Sequence, residues 1–350
     1  MVIPVFYLED PPSLHAIEPT GTASPLTRCG LTYLNEGGAN FVFRIVHPPC
    51  TPIPPRLQNR LLRIRKDLPH IQSAESQLEA FYKHFHGLFP EEHLVQHELI
   101  MIDQSVLALL NTELQAMDRP SHRAQDFLPE EDLKALLMTD MTVCTDEGAD
   151  EVLLQLKPKW LAQSPDAPGN AKRCRTCALR ACRAGSNVRT ATDRQGSCPL
   201  GLMSEVSEER RRAVESVTGD PAIREYLLGE VSQGLLRRLK HAQMSLDSGG
   251  VLSVGDDEQG SLNLCKAMTL RDCSLFVRRL KSTIEAKLGD LDLKQPEKIK
   301  KWKKVERDLI DGGWYTNTEQ KRFWMQEEDF GTGSFFMIVR AMSTIKVLLR

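Results

Sequence analysis

The pattern of apolar and polar residues near the start of the chain predicts β-strands. Residues 31–34 and 41–46 are rich in apolar, aromatic and β-branched side chains, and a glycine-containing turn separates them. This arrangement predicts a strand, a tight loop and a second strand. Residues 61–65 alternate between apolar and basic side chains, which predicts a third strand with Arg63 and Arg65 on one face.

Apolar residues recur at helical spacing in the next part of the chain. This period runs from about residue 71 to 88 and again from about 91 to 114, and it predicts two amphipathic helices. Short apolar runs at 135–138 and 152–156 then predict two strands joined by the acidic turn at 146–150. This order of elements indicates a mixed, mostly antiparallel small lobe.

The later part of the chain has a different pattern. After a polar loop at residues 163–170, we expect largely helical structure up to about Met244. Residues 245–261 are rich in Gly, Ser and Asp and lack an apolar period, which is typical of a flexible surface loop. Strands followed by helices predict an α+β protein.

Length and composition indicate a globular protein of about two domains. A chain of 350 residues exceeds the usual size of a single core, and 41% of its residues are hydrophobic and 26% charged. We expect a first lobe over residues 1–160 and a second, larger lobe over residues 161–350.

Charge and cysteine usage narrow the class further. A net charge of −2 argues against a general nucleic-acid binder, so any anion site must come from local clustering of basic residues. No apolar run is long enough to cross a bilayer, and the first residues lack the features of a signal peptide, so we expect an intracellular protein without a membrane partner. Nine cysteines, an odd number, favour reduced thiols over a disulfide framework.

The first candidate site is the glycine turn between the first two predicted strands. Small residues there let the backbone approach a ligand and direct N–H groups toward phosphate oxygens, although a plain hairpin is the commoner reading. Arg63, on the third strand, is a candidate for pairing with nucleotide phosphates, the alternative being a solvated strand face. The residues of the turn are Glu36, Gly37, Gly38, Ala39 and Asn40.

Two further basic features suit an anionic ligand. Lys157 and Lys159 flank Pro158 at the end of a predicted strand, where alternation places both ammonium groups on one side; a solvated pair is an equal alternative. Residues 172–194 carry a basic run with one acid, Asp193, and such a run suits either a polyphosphate or RNA. Its members are Lys172, Arg173, Arg175, Arg180, Arg183, Arg189 and Arg194.

Four cysteines in and after this run raise the question of a metal. Cys174 and Cys177 have the spacing of a zinc-binding pair, with Cys182 and Cys198 farther on. There is no second clean pair and no nearby histidine, so isolated reduced thiols are the preferred interpretation.

Two aspartates are the best acid candidates. Asp272 and Asp290 lie on neighbouring predicted elements, and phosphoryl transfer needs a carboxylate near the attacking hydroxyl and another to hold magnesium. Asp290 and Asp292 alternate with leucines, which predicts a strand with both acids on one side. Surface or helix-capping roles are the alternative. Lys294, Lys298 and Lys301 follow at helix-like spacing, with a helix expected to begin near Pro296, and they form either the wall of a phosphate pocket or a solvated helix face.

Six short motifs in this order resemble those of the inositol-pentakisphosphate 2-kinases, and a fungal member is expected. The resemblance covers roughly residues 30–302. The motifs are Gly37-Gly38-Ala39-Asn40, Leu62-Arg63-Ile64-Arg65-Lys66, Leu156-Lys157-Pro158-Lys159, Cys198-Pro199-Leu200-Gly201-Leu202, Arg271-Asp272-Cys273-Ser274 and Asp290-Leu291-Asp292-Leu293-Lys294.

The resemblance implies a two-lobed fold distantly similar to protein kinases, with a mixed sheet in the N-lobe and a larger α/β C-lobe that carries an inositide-binding helical region. It implies that ATP, with Mg²⁺, phosphorylates the 2-hydroxyl of inositol 1,3,4,5,6-pentakisphosphate to give inositol hexakisphosphate, or phytate. A non-catalytic inositol-polyphosphate or RNA-binding module is the alternative. A monomer in the nucleus or cytoplasm is expected.

Matching positions then receive roles from the resemblance. The glycine turn, Arg63 and Arg224 would bind nucleotide, Asp272 would be the base or metal-positioning acid, and Asp290 a magnesium ligand. The family's plant-type zinc site, with two cysteines and two histidines, is not evident ahead of Asp272, so no zinc is expected. The residues implied to hold substrate phosphates are Arg119, Arg123, Lys157, Lys159, Arg175, Lys294 and Lys298.

Overall fold

The computed structural model describes residues 6–8, 27–46, 54–143, 150–185, 197–255 and 257–317. Backbone contacts divide the chain into two compact units. The first contains Met1–Lys83 and Val95–Met141, and the second contains His84–Leu94 and Thr142–Arg350. Each unit has its own β-sheet and its own helices, which confirms the α+β class.

The first unit contains a six-stranded sheet in which every neighbouring pair is antiparallel. The strand order is β1-β2-β3-β4-β6-β5. Two helices accompany the sheet. The elements are β1 (Phe6–Leu8), β2 (Thr27–Glu36), β3 (Asn40–Val46), β4 (Arg60–Arg65), α1 (Ala74–His84), β5 (His97–Met101), α2 (Gln104–Ala116) and β6 (Lys134–Thr139).

The predicted strand, tight loop and strand are confirmed as the β2–β3 hairpin. Leu31, Phe41 and Phe43 are buried in the core of this unit. Leu107 and Leu110, on the apolar face of α2, belong to the same core. Because alternate residues of each strand point to one face, the apolar period of the sequence builds this core directly.

The prediction of one helix over residues 91–114 was wrong in its first half. The chain there forms a single 3-10 turn at Glu91–His93 and then strand β5, which pairs with β6. Helix α2 begins only after Asp103, whose side chain accepts a hydrogen bond from the Ser105 backbone N–H and caps the helix. Backbone pairing with β6 has overridden the local helical period.

The second unit contains a three-stranded antiparallel sheet and six helices among the described residues. The sheet order is β7-β8-β9. The elements are β7 (Glu151–Leu156), α3 (Arg175–Gly185), α4 (Ser207–Glu215), α5 (Pro221–Leu228), α6 (Glu230–Leu246), α7 (Glu258–Leu270), β8 (Ser274–Leu280), β9 (Thr283–Gly289) and α8 (Ile299–Asp311). Largely helical structure between the polar loop and α6 is confirmed for the described part of that stretch.

Strands β6 and β7 both exist, but they do not form the hairpin that the sequence predicts. β6 pairs with β4 and β5, whereas β7 pairs with β8. Residues 142–160 therefore group with the second unit, and the division falls at Met141 rather than at residue 160. Most of the acidic turn predicted between these strands, residues 144–149, lies outside the described residues.

Residues 245–261 are less loop-like than expected. Helix α6 continues to Leu246, and α7 begins at Glu258 with Asp257 as its cap. Between the two helices Val251 is fully buried and packs with Trp160 and Leu264. Val251 thus fixes this polar stretch to the core. The sequence did not predict the contact, because the stretch has no apolar period. Among the described helices, none combines the length and apolar character needed to span a bilayer.

Candidate functional site

Three lysines converge on Asp272 in the second unit. Asp272 lies between the end of α7 and the start of β8, and Lys157 follows the end of β7. Since Leu156 pairs with Leu275, the two strand ends bring these residues to one place. Lys159 Nζ lies 3.0 Å from Asp272 Oδ1 and Lys294 Nζ lies 2.7 Å from Oδ2. Lys157 Nζ donates to the Asp272 backbone oxygen at 2.6 Å.

Lys157 and Lys159 do turn to the same side, as their spacing predicts, but strand alternation is not the reason. Strand β7 ends at Leu156, and Lys159 has a positive φ of 56°. That left-handed backbone is uncommon for a residue other than glycine. The Lys159 carbonyl accepts a hydrogen bond from Gln243, which helps to hold this backbone in place.

Asp290 completes the cluster, but it does not lie on a strand. Strand β9 ends at Gly289, and Asp290 has a φ of 57°, so the predicted alternation of Asp290 and Asp292 along a strand was wrong. Asp290 Oδ2 accepts a hydrogen bond from Ser274 Oγ and lies 3.5 Å from Lys157 Nζ. The turn after β9 therefore aims its carboxylate at the same ammonium group that contacts Asp272.

Lys294 is held by its backbone as well as by its side chain. Its amide N–H donates to Thr269 Oγ1 at 3.0 Å, and Thr269 is a fully buried residue of α7. Lys298 lies at the start of α8, just after the turn at Pro296, where the sequence predicts a helix to begin. Desolvation and the charge of Lys294 lower the pKa of Lys298, whereas Asp272 raises it, so Lys298 belongs to the same electrostatic neighbourhood.

Opposite charges set the protonation state of this cluster, called below the Asp272 cluster (Asp272, Asp290, Lys157, Lys159 and Lys294). Burial would raise the pKa of Asp272, but the charges of the three lysines outweigh it and hold that pKa well below its usual range. Burial lowers the pKa of Lys159, although Asp272 partly restores it. The cluster has three cationic groups against two carboxylates.

This arrangement can bind an anion and also position a carboxylate beside it. The lysine side chains keep 17–27% of their surface exposed, so an anion from solvent can reach them. Asp272 remains ionised among them. A site that only binds phosphate gains nothing from a carboxylate. The presence of Asp272 therefore favours phosphoryl transfer over simple anion binding.

The glycine turn lies in the first unit and forms a close hairpin. The Gly37 N–H donates to the Asn40 backbone oxygen at 2.8 Å, and the Lys66 N–H donates to the Ala39 oxygen at 2.8 Å. Arg63 is buried; its Nη2 donates to Gln77 Oε1 at 2.8 Å, and to the Asn40 amide oxygen when that oxygen faces it. Arg63 therefore braces the second strand of the turn.

Arg119 and Arg123 also lie in the first unit, and both contact Glu36 at the start of the turn. Arg123 Nη1 donates to the Glu36 backbone oxygen at 2.7 Å. The Arg119 side chain is almost fully buried, lies 3.4 Å from Glu36 Oε1, and donates to the backbone oxygens of Leu114 and Ala124. The structure thus brings these arginines to the glycine turn, and in the second unit it gathers the lysines at Asp272.

Lys66 and Asp126 were missed by the sequence analysis. The Lys66 side chain is fully buried, with Nζ 2.5 Å from Glu36 Oε2 and 2.6 Å from Asp126 Oδ2. In the sequence, Lys66 follows the alternating strand residues 61–65 and looks like another basic residue on the surface. Only its tertiary partners distinguish it, because Asp126 lies about sixty residues farther along the chain.

Arg175 is enclosed in the interior of the second unit. Its Nε lies 2.8 Å from Glu306 Oε2, and its guanidinium stacks 4.7 Å from the centre of the Trp160 ring. Arg271 stacks on the same ring and pairs with buried Asp247. None of these partners was identified from the sequence; Glu306 in particular looks like an ordinary charge within a lysine-rich helix.

The remaining candidates are placed as follows. Arg224 lies on α5, and its Nε is buried without a hydrogen-bond partner in the described part of the chain. Arg189, Arg194 and Asp193 of the basic run lie outside the described residues.

The described cysteines all carry free thiols. Three of them form a group in which the sulfur atoms lie within 4.8 Å of one another, namely Cys174, Cys177 and Cys198.

Comparisons with known proteins identify related sequences. A family model described as inositol-pentakisphosphate 2-kinase matches residues 33–308. An inositol-pentakisphosphate 2-kinase of Yarrowia lipolytica is 38% identical over 165 residues, which cover 46% of this chain and 53% of the relative. One of Eremothecium gossypii is 27% identical over 167 residues, which cover 46% and 55%. The chain thus spans about half the length of the curated relatives it matches.

Proposed function

Because this chain belongs to the inositol-pentakisphosphate 2-kinase family, we propose that it transfers the γ-phosphoryl group of ATP to the 2-hydroxyl of inositol 1,3,4,5,6-pentakisphosphate, giving inositol hexakisphosphate. The observation that carries the proposal is the Asp272 cluster, in which an ionised carboxylate lies among three ammonium groups. A polyphosphorylated acceptor needs many cationic donors, and its hydroxyl needs one oriented carboxylate.

The three lysines would bind phosphate groups of the acceptor. Each ammonium carries three N–H donors, and charge-assisted bonds to phosphate are among the strongest in proteins. Lys298 at the start of α8 is the next cation along the same neighbourhood. Binding the acceptor would replace lysine–aspartate contacts with lysine–phosphate contacts.

That exchange would prepare Asp272 for its role. In the free protein the lysines hold its pKa too low for an efficient base. Once phosphate oxygens share the lysine charges, the positive potential at Asp272 falls and its pKa rises. The carboxylate would then orient the acceptor hydroxyl and take its proton as the new O–P bond forms and the bond between the γ-phosphorus and the departing ADP breaks. The other phosphates of the acceptor would stay bound to the lysines.

The carboxylates also fit a magnesium ion. Asp272 and Asp290 already face one shared cation, the Lys157 ammonium, at 3.8 and 3.5 Å, and Asp290 is half-exposed. Mg²⁺ in phosphate-transfer sites takes one or two carboxylates together with phosphate oxygens and water. Asp290 would therefore hold the ion, with Asp272 as a second ligand in the alternative in which Asp272 positions the metal instead of accepting the proton. The ion would neutralise charge on the nucleotide phosphates.

The glycine turn of the first unit is the proposed nucleotide contact, within a two-lobed fold of the protein-kinase kind. A Cβ atom added at Gly38 would meet nothing within 4 Å, and one added at Gly37 would meet the Asn40 backbone oxygen at 3.9 Å. The backbone of the turn is therefore open to ligand phosphates. Arg63, Arg119 and Arg123 support this turn through the contacts described above. For Arg224, nucleotide binding stays a prediction, as do a monomeric state and a location in the nucleus or cytoplasm.

Arg175 has a different proposed part from the one the resemblance implies. Its guanidinium is committed to Glu306 and Trp160 inside the second unit. It would act on substrate binding through the position of the segment that follows Lys159 and Trp160. We therefore treat Arg175 as a positioning residue in this proposal.

The proposal is tested by incubating the protein with ATP, Mg²⁺ and inositol 1,3,4,5,6-pentakisphosphate and separating the products by anion exchange. Asp272→Asn should reduce turnover by about 10²–10⁴-fold, the usual contribution of a general base, while acceptor affinity is retained because the lysines remain. Asp311→Asn, at an exposed position at the end of α8, is the control. Tight binding without product in the parent protein would favour the non-catalytic binding module.

A further inference from the structure

Gln243, near the end of α6, connects two segments that carry members of the Asp272 cluster. Its Oε1 accepts a hydrogen bond from the Leu161 backbone N–H at 3.0 Å, and its Nε2 donates to the backbone oxygens of Lys159 at 2.9 Å and Leu270 at 3.2 Å. Lys159 and Leu161 follow β7, whereas Leu270 ends α7, two residues before Asp272. One side chain thus joins the backbone that carries Lys159 to the backbone that carries Asp272.

A carboxamide suits this place because it is an uncharged group with one acceptor oxygen and two N–H donors in a plane. The Gln243 residue is only 2% exposed, so its polar atoms need partners within the protein, and three backbone groups supply them. A glutamate would place an acceptor against two carbonyl oxygens. A methionine of similar length would offer these backbone groups no comparable partner. The contacts therefore select glutamine by its chemistry as well as by its size.

A stacked pair of side chains ties the same two segments together a second time. Trp160 immediately follows Lys159, and Arg271 immediately precedes Asp272. The Arg271 guanidinium lies 3.5 Å from the centre of the Trp160 ring, and its Nη2 donates to the Gln243 backbone oxygen at 3.5 Å. The neighbours of the reacting lysine and aspartate are therefore packed together beside Gln243.

The direction of the Lys159 side chain depends on a backbone that is unfavourable by itself. Its φ of 56° is left-handed, and such a conformation outside glycine persists where surrounding contacts determine it. The two Gln243 bonds to the Lys159 carbonyl and the Leu161 N–H fix the chain directly after this residue. Of the three lysines in the cluster, Lys159 lowers the pKa of Asp272 most. A shift of this backbone would therefore change both the phosphate donor and the carboxylate that it contacts.

We propose that Gln243 is a positioning residue of the Asp272 cluster, which fixes the distance and direction between the Lys159 ammonium and the Asp272 carboxylate. This inference rests on the proposed function, and Gln243 acts through these two residues rather than by contact with a substrate. With both segments held, Lys159 can bind an acceptor phosphate while Asp272 orients the reacting hydroxyl. Without the amide, the left-handed turn would relax and the two groups would be aligned less often, although every charge of the site would remain.

The first test compares Gln243→Met with Gln233→Met in the full chain. Gln233 is a matched control, because it lies on the same helix, is also buried, and also donates to two backbone oxygens, those of Leu202 and Leu227. Both substitutions should lower the thermal midpoint. Only Gln243→Met should also reduce kcat, by about 10–100-fold, because a small misplacement of reacting groups is enough for such a loss.

A double-mutant cycle shows whether Gln243 acts through Lys159, and it requires no turnover. Gln243→Met should weaken the binding of inositol pentakisphosphate by at least about 3-fold, near the lower end of the coupling within one hydrogen-bond network. In Lys159→Met it should have no further effect, because the ammonium that it positions is gone. Isothermal calorimetry gives the four affinities. An equal loss in both backgrounds would assign Gln243 a general structural role and overturn the proposal.

The other outcomes separate this inference from the proposed reaction. Equal kcat values for Gln243→Met and Gln233→Met would overturn the positioning role even where the parent forms inositol hexakisphosphate. Acceptor binding without product in the parent would overturn the reaction, whereas a coupled cycle in that protein would still support the positioning of Lys159. A parent that binds no acceptor would overturn both.

Circular dichroism checks that each variant is folded. If Gln243→Met does not fold, Gln243→Glu and Gln233→Glu replace the methionine pair in both measurements. The Gln243→Glu side chain keeps its volume and its acceptor for the Leu161 N–H but loses the two amide donors, and the Gln233→Glu control accounts for the added charge. The same losses in kcat and in acceptor affinity are expected for Gln243→Glu, and their absence would overturn the proposal.

Discussion

Each of the two units contains a cluster of charged residues. The clusters differ in their balance of positive and negative charges and in their exposure to solvent. In the first unit, Lys66 and Arg119 face Glu36 and Asp126, and all but Asp126 are almost fully buried. In the Asp272 cluster, three lysines face two aspartates, and every member keeps part of its surface exposed. The first cluster is neutral and enclosed; the second is cationic and open.

This difference is the one expected between a structural network and the proposed ligand site. A buried charge is tolerated only when it is paired and its remaining hydrogen-bonding groups are satisfied, and the first cluster meets both conditions. Surplus ammonium groups that reach solvent are instead available to an incoming anion. The basic residues of the two clusters looked equivalent in the sequence. Their charge balance and their burial distinguish them.

The largest effect is expected from breaking the neutral cluster. Lys66→Met removes the cation between Glu36 and Asp126 and leaves Glu36 with Arg119 alone as a counter-charge. Removing one partner of a buried charge pair typically costs about 3–5 kcal/mol of stability. The free energy of unfolding in urea measures this loss, with Lys300→Met, at an exposed position of α8, as the control. A loss below about 1 kcal/mol would show that the cluster does not stabilise the first unit.

A smaller effect, of a different kind, is expected from the Asp272 cluster. Lys157→Met and Lys294→Met should each weaken the binding of inositol pentakisphosphate by about 1.5–3 kcal/mol, the value of a hydrogen bond to a charged group. Stability should change little, because each variant removes one of three like charges. Isothermal calorimetry measures the affinity. If nucleotide affinity fell while acceptor affinity did not, the lysines would belong to the nucleotide site.

The smallest effect concerns pH. Burial holds the pKa of Lys159 below that of an ordinary lysine, so its ammonium loses charge at a lower pH than an ordinary lysine does. Affinity for the acceptor should therefore begin to fall as alkaline pH rises through that lowered pKa, and Lys159→Met should show a shallower fall. Asp272 adds no acid limb to binding at mildly acidic pH, because its own pKa is depressed. Equal pH profiles for the two proteins would exclude Lys159 from the binding site.

How well the sequence predicted the site depended on how local the determining contacts are. The β2–β3 hairpin and the turn before α8 follow from alternation, glycine and proline within a few residues. Strand β5 was missed, because its identity depends on pairing with β6. The direction of Lys157 and Lys159 was predicted correctly, but the left-handed backbone of Lys159 that produces it carries no sequence signal.

The sequence by itself determined the α+β class, the family and the identity of the acids and lysines that meet at Asp272, because residue types and their order are written there. Only the tertiary structure decided which charges are partners. It placed Lys66 between two carboxylates, enclosed Arg175 with Glu306, and gathered three cysteines from two segments. Pairing and burial depend on contacts between residues far apart in the chain, and those contacts exist only once the core has formed.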